Sequence, residues 1–387
     1  MQARLRSLHL ILALLLVAAL SPSLAEAEDP QDPVALGCEP SPRGEHPLAA
    51  PLRIAGPLPV SVDLRAGLPP VGDQGTQNSC VGWAVGYYYK SFQEAREQWW
   101  SLDVPAHQFS PAYVYNQRPT ANCRQDRGMT ILAALRIVQE GAAPLSVAPY
   151  NPRDACTTPG DPGRAAAHEY RAAAFALVFQ GAGQADVEQI KAHLAGGDPV
   201  VMAIPVYTNF RWAAPGRALI DVPPAGSSLL GGHAVLAVGY DPQGILIVNS
   251  WGTRWGEQGF ARLTYDFVRR YAWEAWVMED LDATPPTPPV ECSLAPTPAA
   301  SAASGPPIRL SFVWSGATDH GGSGIQGYRV YWGPNPEGEE PYRETETPAF
   351  SSGPILAGQT YYLRVQALDR SGNASPWKTL YTLPNTP

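Results

Sequence analysis

Apolar residues recur along the chain with different periods. An apolar run extends from Leu8 to Leu20. Between residues 59 and 282, stretches with the 3.6-residue spacing of amphipathic helices alternate with stretches that have the two-residue period of half-buried strands. From residue 307 onward only the strand period remains, as in "IRLSFVW". The pattern predicts an α+β domain followed by an all-β domain.

Proline-rich segments without periodicity separate these parts. One follows the apolar run, and we expect it to form an irregular arm. The other, "ATPPTPPVECSLAPTPAASAASG", has the composition of an extended linker. We therefore divide the chain into a leader at 1–27, an arm at 28–57, the α+β domain at 58–282, a linker at 283–306 and the β domain at 307–387.

The leader has the features of a secretory signal peptide. Arg4 and Arg6 precede the apolar run, and small residues follow it at Ala25 and Ala27. A largely apolar run of thirteen residues is short for a membrane span. We expect a secreted, periplasmic or cell-surface protein without an integral membrane segment after signal removal. The segment "ALGC" at 35–38 resembles a lipoprotein signal but lies too far beyond the run.

Charge and motif content give no support for several kinds of partner. A formal charge of -8 and a pI of about 5.4 give no support for nucleic-acid binding. His168 stands beside Glu169 but lacks the second histidine of a zinc-peptidase helix, and there is no phosphate-binding loop. We expect neither a metal nor a cofactor.

A cysteine lies where the glycine-rich turn "GDQGTQNSC" meets an apolar helix-like stretch. A helix N-terminus lowers the pKa of a thiol and so favours a nucleophilic thiolate at Cys80. Asn78 and Ser79 are candidate caps of this helix. Gln74 can direct its amide at the oxyanion that forms when a thiolate attacks a carbonyl. The alternative is a buried or disulfide-bonded structural thiol, which five cysteines permit.

A histidine and an asparagine far downstream complete a candidate site. His233 opens the apolar strand "HAVLAVGYD", and Asn249 follows sixteen residues later in "NSWGTRWG". A strand pair would bring the amide to the imidazole and fix its tautomer, with Trp251 shielding that hydrogen bond from water.

In the segments around Cys80, His233 and Asn249 the chain resembles the papain family of cysteine peptidases. The resemblance extends from "VDLRAG" to about Met278. The 153 residues from Cys80 to His233 are close to the family spacing of about 130–150. The resemblance implies a helical half led by the Cys80 helix and a β-barrel-like half that carries His233 and Asn249. It also implies that Cys80 is the nucleophile, His233 its acid–base partner, Asn249 the group that orients the ring, and Gln74 part of the oxyanion hole.

The chain departs from the family pattern near the substrate cleft. The usual Cys-Gly-Ser-Cys-Trp reads "QNSCV", and the Gly-Gly of the substrate channel appears in "CRQDRGMT" with one glycine. The resemblance gives as substrate-binding candidates Gly128, Met129, Ala203, Ala234 and Trp251.

The four remaining cysteines are candidates for disulfides outside the cytosol. Cys123 and Cys156 flank a helical segment, and we expect them to pair. Cys38 and Cys292 lie at opposite edges of the domain and could pair by elimination.

The C-terminal segment resembles a fibronectin type III domain from about Pro306 to Leu383. Strand patterns in "GYRVYWG" and "TYYLRVQALD" are separated by turn residues, and Tyr361 lies near the position of the tyrosine corner. A spacer or adhesion role with a surface or polymer ligand is expected.

The resemblance implies hydrolysis of protein or peptide substrates through an acyl-enzyme. Two alternatives stay open: a catalytically silent binding or adhesion protein, and a transferase or amide hydrolase that uses the same residues. The arm at 28–57 is too short and proline-rich for a helical pro-region. We therefore expect it to inhibit weakly or not at all.

Overall fold

The structure is a computed structural model, and it describes residues 35–44, 46–50, 56–294, 309–320, 322–356 and 358–385. The expected signal peptide at 1–27 lies outside these residues, as do parts of the arm and the linker. No helix in the described ranges is both long and apolar enough to cross a membrane.

Helices dominate the first half of the α+β domain. One continuous helix passes from α-helical to π-helical geometry at Trp83–Lys90 and back again, and residues 80–92 are all buried. At Gly82 a Cβ would lie 2.7 Å from the carbonyl oxygen of Pro111, so glycine is required for the close approach of the next helix. The helices are α1 (Cys80–Gly82), α2 (Ser91–Gln98), α3 (Pro111–Tyr115), α4 (Thr120–Cys123), α5 (Ile131–Glu140), α6 (Asp161–Ala167), α7 (Val187–Ala195), α8 (Thr208–Arg211) and α9 (Tyr265–Tyr271), with a 3₁₀ turn at Arg65–Gly67.

An eight-stranded sheet forms the second half. The strands of the domain are β1 (Cys38–Glu39), β2 (Val62–Asp63), β3 (Met129–Thr130), β4 (Ala172–Gln180), β5 (Val200–Tyr207), β6 (Leu219–Ile220), β7 (Leu229–Asp241), β8 (Gly244–Val248), β9 (Phe260–Leu263) and β10 (Glu274–Asp280). The sheet has the order β4-β10-β5-β7-β8-β9-β6, and β2 pairs with β7. The pairing among the described strands does not close into a ring, so the expected barrel-like half is an open sheet.

Two antiparallel sheets make up the C-terminal domain. Their strands are β11 (Glu291–Leu294), β12 (Ser311–Ser315), β13 (Ile325–Gly333), β14 (Tyr342–Thr345), β15 (Ala349–Ser351), β16 (Tyr361–Asp369) and β17 (Lys378–Leu383). The sheets have the orders β11-β12-β15 and β14-β13-β16-β17. Phe312 and Trp314 from one sheet share a buried core with Val330 and Leu363 from the other. The strand β11 corrects the expected linker, because residues 291–294 pair with β12.

The cysteines are paired only in part as expected. Cys123 and Cys156 form a disulfide, with the two sulfurs 2.08 Å apart. The expected Cys38–Cys292 pair is wrong, because both residues carry free thiols. Cys38 is buried on β1 beside β3, whereas Cys292 lies on β11 opposite Trp314.

Candidate active site

The sheet half of the α+β domain brings His233 and Asn249 together. His233 lies on β7, and Asn249 follows the end of the paired strand β8. The imidazole Nε2 and the amide Oδ1 of Asn249 are 2.7 Å apart. Since the Asn249 Oδ1 also accepts from the Ser250 N–H at 2.7 Å, it acts as an acceptor, and Nε2 must carry the proton. The Nδ1 atom is therefore the nitrogen that can accept a proton, and no described group is hydrogen-bonded to it.

Aromatic rings enclose this hydrogen bond. The Trp251 ring centroid lies 4.7 Å from that of His233, and the Phe210 ring lies 6.0 Å away in an edge-to-face arrangement. His233 and Asn249 are almost completely buried. The packing holds the imidazole in one orientation and keeps water from competing for its partner.

Cys80 is the first residue of α1, so its sulfur lies at a helix N-terminus. The expected caps are wrong: Ser79 makes no capping hydrogen bond, and its hydroxyl lies 2.8 Å from that of Tyr150. The Asn78 amide donates to the backbone oxygen of Asp126. Neither side chain caps α1, because both are bound by groups distant in sequence.

Gln74 is fully buried and held from both ends. Its Oε1 accepts a hydrogen bond of 2.6 Å from the Ser250 hydroxyl, and its own backbone oxygen accepts one of 2.8 Å from the Tyr150 hydroxyl. Its Nε2 donates to the carbonyl oxygen of Gln77 at 2.8 Å and to that of Ala35 at 3.2 Å. The amide that could stabilise an oxyanion thus already holds a carbonyl oxygen of the arm.

Residues 35–39 of the arm lie across the catalytic groups. The strand β1 pairs in parallel with β3, with Cys38 opposite Met129, and the Met129 N–H donates to the Gly37 oxygen at 2.9 Å. The Leu36 N–H donates to Asn78 Oδ1 at 2.9 Å. At Gly37 a Cβ would lie only 1.9 Å from the Asn78 oxygen, so no other residue fits there. We call residues 35–39 the covering segment.

Of the expected substrate-binding residues, Gly128 and Met129 lie against the covering segment. Gly128 has a φ of +91°, and a Cβ there would lie 2.1 Å from the Gly37 oxygen. Met129, Ala203 and Ala234 are buried in the same apolar cluster as Cys38 and Cys80. Trp251 instead packs on His233.

Burial keeps both candidate catalytic groups uncharged in this arrangement. Desolvation raises the pKa of Cys80 to about 11, opposed by hydrogen bonds from the backbone of Ala234 and Gly37. Desolvation lowers the pKa of His233 to about 4, opposed by its hydrogen bond with Asn249. The covered site therefore holds a neutral thiol and a neutral imidazole at neutral pH.

The sequence does not mark the side chains that hold Gln74 in place. Ser250 and Tyr150 orient Gln74, and no local pattern marks either residue as a partner of an amide distant in sequence. The covering segment did leave a signal in "ALGC", whose glycine is required for sterically close packing.

Comparisons with known proteins identify the family of the α+β domain. The family model described as "Papain family cysteine protease" matches residues 58–274, which is more than half of the chain. The chain therefore belongs to the papain family of cysteine peptidases, and we refer to 58–282 as the peptidase domain.

Individual relatives are similar to about half of the chain or more. An uncharacterized peptidase C1-like protein, L477, of Acanthamoeba polyphaga mimivirus is 26% identical over 54% of this chain and 69% of its own length. Cathepsin B-like CP3 of Giardia intestinalis is 31% identical over 51% of this chain and 64% of its own length. Among solved structures, xylellain, a cysteine protease from Xylella fastidiosa, superposes with a TM-score of 0.53 at 27% identity, covering 63% of this chain and 96% of that one.

Proposed function

We propose that this papain-family member is a secreted peptidase that hydrolyses peptide bonds through Cys80, His233, Asn249 and Gln74. The observation that carries the proposal is the fixed tautomer of His233. Because Nε2–H is held by Asn249 Oδ1 at 2.7 Å, the free lone pair belongs to Nδ1. A general base needs this arrangement, whereas a merely structural histidine does not.

The reaction follows from these roles. His233 Nδ1 takes the proton of the Cys80 thiol, and the thiolate attacks the carbonyl carbon of the substrate. The Gln74 amide and the Cys80 backbone N–H donate to the oxyanion. The imidazolium then protonates the leaving amine, which departs and leaves a thioester on Cys80. Water, deprotonated by His233, attacks this thioester and releases the acid and the free thiol.

We further propose that the covering segment holds the enzyme latent. It occupies the donor of Gln74 through the Ala35 oxygen, covers Cys80 and leaves both catalytic groups uncharged. A substrate must displace it before the thiol can react. This proposal replaces the expectation that the arm inhibits weakly or not at all.

The C-terminal domain supports a fibronectin type III-like assignment. Three strands face four, and the Tyr361 hydroxyl accepts a hydrogen bond of 3.3 Å from the Leu356 N–H a few residues upstream, as in a tyrosine corner. We propose that this module is a spacer or adhesion unit for a surface or polymer ligand.

The test of catalysis uses protein whose covering segment is displaced by Gly37→Ala, because the added Cβ would clash with the Asn78 oxygen. Hydrolysis of an unfolded protein by this variant is compared with that by the Gly37→Ala/Cys80→Ala double variant. We expect the second substitution to reduce the rate on the order of 10⁴–10⁶-fold. Equal hydrolysis by both variants would contradict the nucleophile.

Two further outcomes identify the alternatives. Binding of the unfolded protein without hydrolysis by either variant would favour a silent binding protein. Predominant transfer of the acyl group to an added amine, with little free acid, would favour a transferase.

A further inference from the structure

Three carboxylates from separate segments converge where the module meets the peptidase domain. Asp282 follows β10, Asp319 follows β12, and Asp369 is the last residue of β16. An oxygen of each lies within 4.8 Å of an oxygen of the other two. Asp282 is 6% exposed and Asp369 is fully buried. Like charges this close repel strongly where water does not screen them.

One oxygen of the buried carboxylate has no partner. Asp369 Oδ1 accepts a hydrogen bond of 2.8 Å from the Asn373 N–H. Asp369 Oδ2 is buried, and no described group donates to it. A buried carboxylate oxygen without a donor is destabilising unless a cation binds it.

A second acidic cluster in the same protein shows how the chain neutralises such a site internally. Glu94, Glu97 and Asp280 also converge within 4.8 Å of one another. There the buried Lys90 ammonium lies 2.6 Å from Glu94 Oε1 and also bonds Asp280. The described residues provide no such lysine or arginine for Asp282, Asp319 or Asp369. The nearby Arg370 guanidinium donates to the Ser323 oxygen instead.

Backbone N–H groups hold two of the three carboxylates in place. The Ser323 N–H donates to Asp282 Oδ2 at 2.7 Å, and the Gly324 N–H donates to Asp319 Oδ2 at 2.5 Å. At Gly322 a Cβ would lie 2.6 Å from Asp319 Oδ1 and 2.7 Å from Asp282 Oδ2. A larger residue at 322 would therefore displace the carboxylates.

We propose that Asp282, Asp319 and Asp369 bind one divalent cation of the calcium class. The donors are all carboxylate oxygens, which Ca²⁺ prefers, and Ca²⁺ accepts the irregular geometry and added waters that such a site requires. Mg²⁺ binds less well because it demands near-octahedral geometry and loses water reluctantly.

The cation links two domains of the chain. Asp282 belongs to the end of the peptidase domain, whereas Asp319 lies in a loop of the module and Asp369 ends its strand β16. Binding stabilises the folded module and fixes its attachment, and so couples calcium concentration to the stability of the junction.

The test measures thermal unfolding of the full chain at pH 7.5 in 10 mM CaCl₂ and in EDTA at matched ionic strength. With a dissociation constant on the order of 10⁻⁴–10⁻³ M, we expect Ca²⁺ to raise the Tm of the module by roughly 6–20 °C. Asp369→Asn should abolish the shift. In EDTA this variant should melt at or above the wild-type temperature, because the amide oxygen can still accept from the Asn373 N–H and one repelling charge is gone.

The matched control is Glu344→Gln, which removes an exposed carboxylate of the same module and should keep the full shift. Isothermal titration with CaCl₂ should give one site in the wild type and none in Asp369→Asn or Asp319→Asn, which keeps the proposal testable if one variant unfolds. A shift retained in Asp369→Asn, or no shift and no bound Ca²⁺ in the wild type, overturns the proposal. If lowering the pH to 5 alone raises the Tm and Ca²⁺ does not, a proton occupies the cluster and the proposal is likewise wrong.

Discussion

The active-site cleft and the module junction both bury ionisable groups, but the protein treats them differently. In the cleft, a segment of the chain covers Cys80 and His233, and desolvation keeps both neutral, with pKa values of about 11 and about 4. At the junction, three carboxylates are brought together, and Asp369 Oδ2 has no donor among the described residues.

The difference indicates what each region requires from outside the chain. In the cleft the chain itself covers the catalytic groups, so a change there must remove something, namely the covering segment. The junction is incomplete, so a change there must add something, namely a cation.

The largest effect concerns the oxyanion donor once the cleft is open. In the Gly37→Ala background, Gln74→Ala should lower kcat roughly 10²–10³-fold, because one donor to the developing oxyanion is lost. Gln77→Ala is the control, since the Gln77 amide donates to the backbone oxygens of Asn151 and Asp154. Steady-state kinetics with a short peptide substrate give the kcat of both variants. An unchanged kcat in Gln74→Ala would remove Gln74 from the mechanism.

A smaller effect is expected from opening the cleft itself. Gly37→Ala should raise the hydrolysis rate of the full chain roughly 10- to 100-fold, since overpacking costs about 1–3 kcal/mol and weakens the covered state by that amount. Gly44→Ala is the matched control, because its nearest neighbour, a ring atom of His46, is 3.7 Å from the added Cβ. Equal rates in both variants would show that the covering segment does not limit activity.

Acid should weaken the covered state more modestly. His233 has a pKa of about 4 when covered, against an ordinary value of 6.5, so the open or unfolded state binds more protons between these pH values. Stability therefore falls as pH falls through this window, by about 1 kcal/mol between pH 6.5 and 5.5. Urea unfolding of wild type, His233→Gln and the exposed control His168→Gln measures it. The change of the unfolding free energy with pH should be smaller than in the wild type only in His233→Gln. An equally small change in His168→Gln would contradict His233 as the cause.

The smallest effect tests whether the two regions are independent. Asp369 lies at the junction. In the Gly37→Ala protein, Asp369→Asn should leave activity on a short peptide unchanged within about twofold, because few contacts normally cross between such domains. Assays with and without Ca²⁺ check this. A large loss of peptide hydrolysis would mean that the junction affects the active site and that the two regions are not independent.

The sequence predicted the parts of the site that chemistry constrains strongly. A histidine that opens an apolar strand and an asparagine beyond the paired strand were expected to meet, and the two lie 2.7 Å apart. The family of the domain followed from the segments around Cys80, His233 and Asn249, and the Cys123–Cys156 disulfide was expected from its flanking positions.

Other features depend on tertiary packing that local patterns do not contain. Ser79 looked like a cap, but its hydroxyl partner is Tyr150, distant in sequence. The covering segment pairs through its backbone, so it needs no apolar period and appeared irregular. Residues 291–294 form a strand, but they lie in a proline-rich run whose composition predicted a linker. Asp282, Asp319 and Asp369 show no ligand spacing, because three segments supply them.

The reactivity of Cys80 with a thiol-directed epoxide tests most directly whether the covered cysteine is the nucleophile. The second-order labelling rate is measured in the full chain and in Gly37→Ala, and the labelled peptide is mapped. We expect slow labelling in the wild type, and labelling at Cys80 in Gly37→Ala that is faster by about the same factor as its turnover. Equally rapid labelling of Cys80 in both proteins, or labelling at another residue that follows activity, would contradict a nucleophile held under residues 35–39.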